Sequence, residues 1–127
     1  MIIAGLVAAA LAGLLHCYIF YLESFAWTTR APAVFGMERE SAVATKEMAF
    51  NQGFYNLLLA VEAIGGVVVH QACHPVIGLT LTSFGVGSML AAALLLFATS
   101  PDKRSAAAKQ GVLPLIAVVL LALGALA

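Results

Sequence analysis

Four apolar runs dominate the chain: Ile2 to about Ala26, about Met48 to Val69, Val76 to Ala98, and Gly111 to Ala127. A helix needs roughly 20 apolar residues to cross a hydrocarbon core of about 30 Å. The first three runs reach that length and the fourth falls slightly short of it. Transmembrane strands would need alternating polarity and a closed barrel, and none of these runs alternates. Composition agrees. Hydrophobic residues make up 63% of the chain and charged residues 9%, whereas soluble chains carry about a quarter charged. The expected fold is all-α, a four-helix transmembrane bundle, with residues 1–127 forming a single four-pass domain.

Charge sets the expected orientation. Arg30, Arg39 and Lys46 lie between the first and second runs, and Lys103, Arg104 and Lys109 between the third and fourth. Short loops rich in Lys and Arg stay cytoplasmic, so both ends and the His70–Pro75 turn are expected on the non-cytoplasmic side of a cell membrane, the inner membrane in a bacterium. No basic residue precedes the first run, which is longer than a signal-peptide core and carries His16 and Glu23, so it is expected to be retained. Cys17 lies near the middle of the first span and Cys73 in the outer turn, depths that oppose a disulfide. With zero net charge and no basic aromatic patch, nucleic acid is not an expected partner.

Small residues recur at helical spacing. Gly5, Ala9 and Gly13, flanked by Ala8 and Ala12, mark one seam; Gly78, Thr82 and Gly85, and then Ser83, Gly87 and Ala91, mark others. Such residues let helix backbones approach closely in lipid, either within the chain or against a second copy in a homo-oligomer. The loop from about Trp27 to Lys46 is long for so short a chain, and long loops are often lids. Pro32 opposes a helix early in it, while Met37–Lys46 permits one. Thr45 is placed to cap the second span, with Glu47 in its first turn. Pro114 lies near the start of the fourth, where it is tolerated or kinks the helix.

The polar residues inside these runs carry the functional expectation. His16, Phe20, Glu23 and Trp27 fall within about 60° of one helical face. On the second span Asn51, Tyr55 and Glu62 share a narrow stripe, with Gln52 and Asn56 beside it, an arc of roughly 140°. If the two spans are antiparallel neighbours, the stripes meet in the half of the bundle nearer the basic loops, with Gln110 closing the site. A charge at mid-membrane costs about 2.5–3.5 kcal/mol on insertion scales, so a polar set this large usually marks a ligand, proton or ion pathway. Taken singly, a membrane His or Asn is often only an interhelical clamp of about 0.6 kcal/mol. His70, Cys73 and His74 have metal-ligand types at i, i+3 and i+4, but Pro75 ends any helix there and a fourth ligand is missing; no metal site is expected.

The segments HCYIFYLESFAW (His16–Trp27), Phe35–Gly36 and TKEMAFNQGFYN (Thr45–Asn56) resemble a family of small predicted integral membrane proteins, domain of unknown function 1304. The resemblance spans essentially the whole chain. It implies a four-helix membrane protein with His16, Glu23, Trp27, Lys46, Asn51, Gln52, Tyr55 and Asn56 in its signature, and so adds Lys46 to the ligand-binding candidates. It implies no activity.

Three functions fit these residues. In the first, the protein binds or converts a small lipophilic molecule. His16 and Glu23 act as acid and base, Tyr55 donates a proton or hydrogen bond, and Asn51, Gln52 and Asn56 orient the ligand. Phe20 and Trp27 form its walls. Sterol-isomerase-like membrane proteins use a similar mixture, an analogy of residue types alone. The second is a proton-coupled small transporter working through a membrane carboxylate. The third is a structural or assembly subunit in which the stripe clamps helices. No cofactor is expected, since His16 has no second haem ligand and the Glu-x-x-His pattern of di-iron bundles is absent. Membrane lipid is the one partner all three share.

Overall fold

A computed structural model describes residues 1–72 and 74–127. Among the described residues six α-helices and no strand occur: α1 (Ile2–Ser24), α2 (Ala31–Phe35), α3 (Arg39–Ala44), α4 (Lys46–Ala72), α5 (Pro75–Thr99) and α6 (Arg104–Leu126), the last preceded by a 3₁₀ turn at Pro101–Lys103. α1, α4, α5 and the Pro101–Leu126 helix are each long and apolar enough to cross a membrane. The architecture is the all-α four-helix bundle of a multi-pass membrane protein. α1 and α5 each pack along both α4 and α6, and face one another across a diagonal. Consecutive long helices are neighbours, as in an up-down-up-down bundle.

Small residues decide how the helices meet. Gly5, Ala8, Ala9, Ala12 and Gly13 are all buried in α1. A Cβ added at Gly13 would lie 2.6 Å from Ile64 Cγ1 on α4, and one at Gly5 2.7 Å from Leu121 on α6. On α5, Gly78, Thr82 and Gly85 turn to α4, where a Cβ at Gly85 would stand 2.9 Å from the Ala63 nitrogen. Thr82 donates its hydroxyl to the Ala63 carbonyl at 3.4 Å. Both seams therefore close contacts within the chain. The Ser83–Gly87–Ala91 row lies outside them: Ser83 and Ala91 are exposed, and nothing stands within 4 Å of a Cβ at Gly87. Ala9, Ala12, Ala63, Val86, Met89 and Ala117 form the centre of the core.

The loop after α1 is folded onto one end of the bundle. The Ala26 carbonyl accepts from the amides of Thr29, Arg30 and Ala31, which turns the chain sharply. Leu22, Ala26 and Ala31 are then buried together, with Trp27 and Phe35 packed against them. The expectation that Pro32 opposes a helix is corrected: it sits in the first turn of α2, where its missing N–H costs no bond. Gly36, at φ +66°, supplies the left-handed residue that ends α2. Thr45 does not cap α4 either. Its hydroxyl donates backward to the Ser41 carbonyl at 2.7 Å, closing α3. α6 begins well before its apolar run because Ser105–Ala108 is a helix-favouring stretch. That places Pro114 inside the helix, buried, and leaves the Gln110 carbonyl without its usual helical donor.

Candidate functional site

At the end of the bundle that carries the two charged loops, α1 and α4 are joined by a buried polar contact. Glu23 is 8% exposed, and its Oε2 accepts from Asn56 Nδ2 at 2.7 Å. The same amide nitrogen donates to the Gln52 carbonyl one turn earlier at 3.3 Å, which orients it. Gly53 makes this approach possible, since a Cβ there would collide with Ser24 Oγ and come within 3.1 Å of Glu23 Cβ. Ser24 donates its hydroxyl to the Phe50 carbonyl at 3.1 Å, a second stitch between the helices.

Glu23 forms part of the wall of a cavity of about 530 Å³, within the range of about 300–1,000 Å³ usual for small-molecule sites. Trp27, Phe35, Gly36, Met37, Glu38, Ser41 and Thr45 of the folded loop line one side. Met48, Ala49 and Gln52 of α4, Leu96 of α5, and Asp102, Lys103, Ala106 and Gln110 at the start of the last span complete it. Trp27 is fixed in place because its Nε1–H donates to Thr45 Oγ1 at 3.1 Å, while the Thr45 hydroxyl proton is directed to Ser41. The Phe35 ring lies tilted against Trp27, with centroids 5.7 Å apart. The lining thus offers one buried carboxyl (Glu23), the exposed Glu38, Asp102 and Lys103, two side-chain amides and an aromatic wall to a molecule with one polar end.

Of the residues singled out in the sequence, Glu23, Trp27, Gln52 and Gln110 line this cavity, and Asn56 stands behind Glu23. The others go elsewhere. His16 is 2% exposed and donates from Nδ1 to the Ala12 carbonyl at 2.9 Å. It shares a helical face with Glu23 but sits about 10 Å deeper along the axis, so the expected acid/base pair is not assembled. Phe20 is not a wall of the cavity: its ring packs edge-on against Phe25 at 5.4 Å and Phe54 at 5.0 Å, in a cluster on the outer surface. Tyr55 is 67% exposed. Asn51 is exposed and returns its amide to the Glu47 carbonyl at 3.4 Å; Lys46 is exposed as well.

The expected stripe of Asn51, Tyr55 and Glu62 therefore does not face α1. The buried face of α4 is Ala49, Gly53, Ala60, Ala63 and Gly66. Backbone proximity in an apolar setting is set by the smallest side chains, and the polar residues fall where that choice leaves them. In the last turn of α4, His70 Nδ1 bonds to the Pro75 carbonyl at 3.0 Å. Cys73 lies outside the described residues, and no group of three metal-ligating side chains occurs among those described. Sequence reasoning missed Met37, Glu38, Ser41, Met48, Leu96, Asp102, Lys103 and Ala106 as wall residues. Phe35, Gly36, Met48 and Ala49 carried a signal in the quoted motifs; Met37, Glu38, Ser41, Leu96, Asp102, Lys103 and Ala106 had none.

A family model described as protein of unknown function (DUF1304) matches residues 10–122. No curated protein and no solved structure matches the chain.

Proposed function

The chain belongs to that family of proteins of unknown function, and on this premise we propose that it binds a small lipophilic molecule in the cavity beneath the Trp27–Thr45 loop. One observation carries the reading: a buried carboxyl, Glu23, held by Asn56, stands in the wall of a cavity large enough for a small molecule. Glu23, Gln52 and Gln110 anchor the polar end of the ligand. Trp27, Met48 and Leu96 cover its apolar part. With the basic loops cytoplasmic, as their charge dictates, the cavity opens toward the cytoplasm and the ligand comes from the adjacent leaflet. The site is a binder rather than an acid/base centre, since His16 and Glu23 engage separate partners.

Native mass spectrometry of the full chain, released gently from detergent, tests this. Wild type is expected to carry a small-molecule adduct. Ala106→Phe, which fills the cavity without touching its polar groups, is expected to remain folded and lose it. Identical spectra for the two proteins would overturn the reading. The Glu23–Asn56 bond itself favours a second one, a structural clamp between α1 and α4. A clamp without a ligand expects no adduct in either protein.

A further inference from the structure

The charges lining the cavity oppose those of the loops around it. All six basic residues, Arg30, Arg39, Lys46, Lys103, Arg104 and Lys109, lie in or beside the two loops, yet only Lys103 lines the cavity. Glu23, Glu38 and Asp102, half of the six acidic residues, line it too. Arg104 is held away, its guanidinium 5.1 Å from the Phe97 ring centroid and its Nε donating to the Phe97 carbonyl at 3.1 Å. A chain of zero net charge has thus placed three carboxylates and one ammonium around a single space.

Glu23 adds an independent observation. Its Oε2 is taken by Asn56, while Oε1 has no hydrogen-bond partner among the described residues. Among the described residues no fully buried side-chain nitrogen or oxygen is left unpaired, so Oε1 keeps contact with open space, and this residue lines the cavity. A side chain more than nine-tenths buried therefore presents a free acceptor to the enclosure. Trp27 and Phe35 stand in the same wall, and aromatic faces attract organic cations.

Resting on the reading that the cavity holds a ligand, we propose that the ligand is an amphiphilic amine. Its ammonium sits against Glu23 Oε1 beside Trp27, and its hydrocarbon part lies among Met48, Leu96 and Ala106. An anionic headgroup would meet three carboxylates for one ammonium. A neutral one would leave the acidic wall uncompensated.

Trp27 is the only tryptophan of the chain, so its fluorescence reports occupancy of the cavity directly. Decylamine, decanol and decanoate, matched in chain length, are titrated into the purified full chain in a nonionic detergent. Micelle partitioning is common to every protein tested, so the ratio of wild type to variant isolates the site. Decylamine is expected to act at about tenfold lower concentration than decanol, with decanoate weaker still, a preference that falls as salt rises. Glu23→Gln, which can still accept from Asn56, is expected to bring decylamine to the level of decanol. Should that variant fail to fold, Glu38→Gln combined with Asp102→Asn at the exposed rim is expected to lower the preference about twofold, the smaller effect of screened charges. Equal response to the three probes, or a preference for decanoate, overturns the amine proposal and leaves the binding reading standing. No response to any probe, with no adduct in the mass spectrum, overturns both.

Discussion

Near the turn that joins α4 to α5, Gly66, Gly78 and Thr82 bring two backbones together with almost nothing between them: a Cβ at Gly66 would lie 2.5 Å from the Thr82 nitrogen. At the opposite end Met48 and Gln52 of α4, Leu96 of α5 and Gln110 of α6 line about 530 Å³ of open space. In an apolar solvent helices gain little by hiding apolar area from lipid, so close backbone contact is what holds them. Where small residues run on, the bundle shuts. Where large or polar side chains replace them, it stays apart, and the Trp27–Thr45 loop covers the gap. Tight packing thus belongs to the glycine end and open space to the loop end.

The sharpest way to break this contrast is at Gly78, where a new side chain would collide with the His70 and Gly66 backbones. Gly78→Leu is expected to cost about 3 kcal/mol or more, as severe overpacking does, read as a lost or sharply lowered thermal transition in detergent. Tolerance of the leucine would show that the two ends are not packed differently. Glu23→Ala is expected to cost less, about 1–3 kcal/mol, because it removes the shorter of the two acceptors of the Asn56 amide. A double-mutant cycle with Asn56→Ala should return a coupling of about 0.6–1.7 kcal/mol, the range known for membrane hydrogen bonds. Zero coupling would mean that the contact holds nothing.

Thr45→Val removes the acceptor of the Trp27 indole N–H and the donor to Ser41. The expected loss is about 1 kcal/mol, with faster proteolysis inside residues 28–45 than at any other loop. An unchanged cleavage rate would mean that the loop is not held by this bond. Tyr55→Phe is expected to change stability by less than about 0.5 kcal/mol, since the hydroxyl sits on an exposed face, and to leave decylamine titration of Trp27 unaltered. A large effect on either measurement would restore Tyr55 to the site.

Much of this molecule can be read from residue order. The four spans follow from runs of apolar residues that no soluble fold could hide, and the Gly5–Gly13 and Gly78–Gly85 seams follow from spacing. Glu23, Trp27, Gln52 and Gln110 stood out as polar or aromatic groups near one end of their spans, and they gather there; Asn56, expected closer to mid-membrane at the depth of His16, meets Glu23 instead. Tyr55, Asn51 and Phe20 stood out on the same grounds and face outward. Periodicity says which residues share a helical face, but not which face a neighbour will cover. Glu38, Asp102 and Lys103 carried no signal, because loop residues reach the cavity only after the chain has turned back over the bundle.

The amino-acid order alone determined that the chain is helical, how many long helices it forms, and where small residues permit close contact, because these depend on local composition and on the solvent. The rotation of α4 about its axis, the folding of the Trp27–Thr45 segment onto the bundle end, and the meeting of Glu23 with Asn56 were decided only by tertiary packing. Each depends on which surfaces fit against one another across residues far apart in sequence, and at Gly53 it is the absence of a single Cβ that permits the fit.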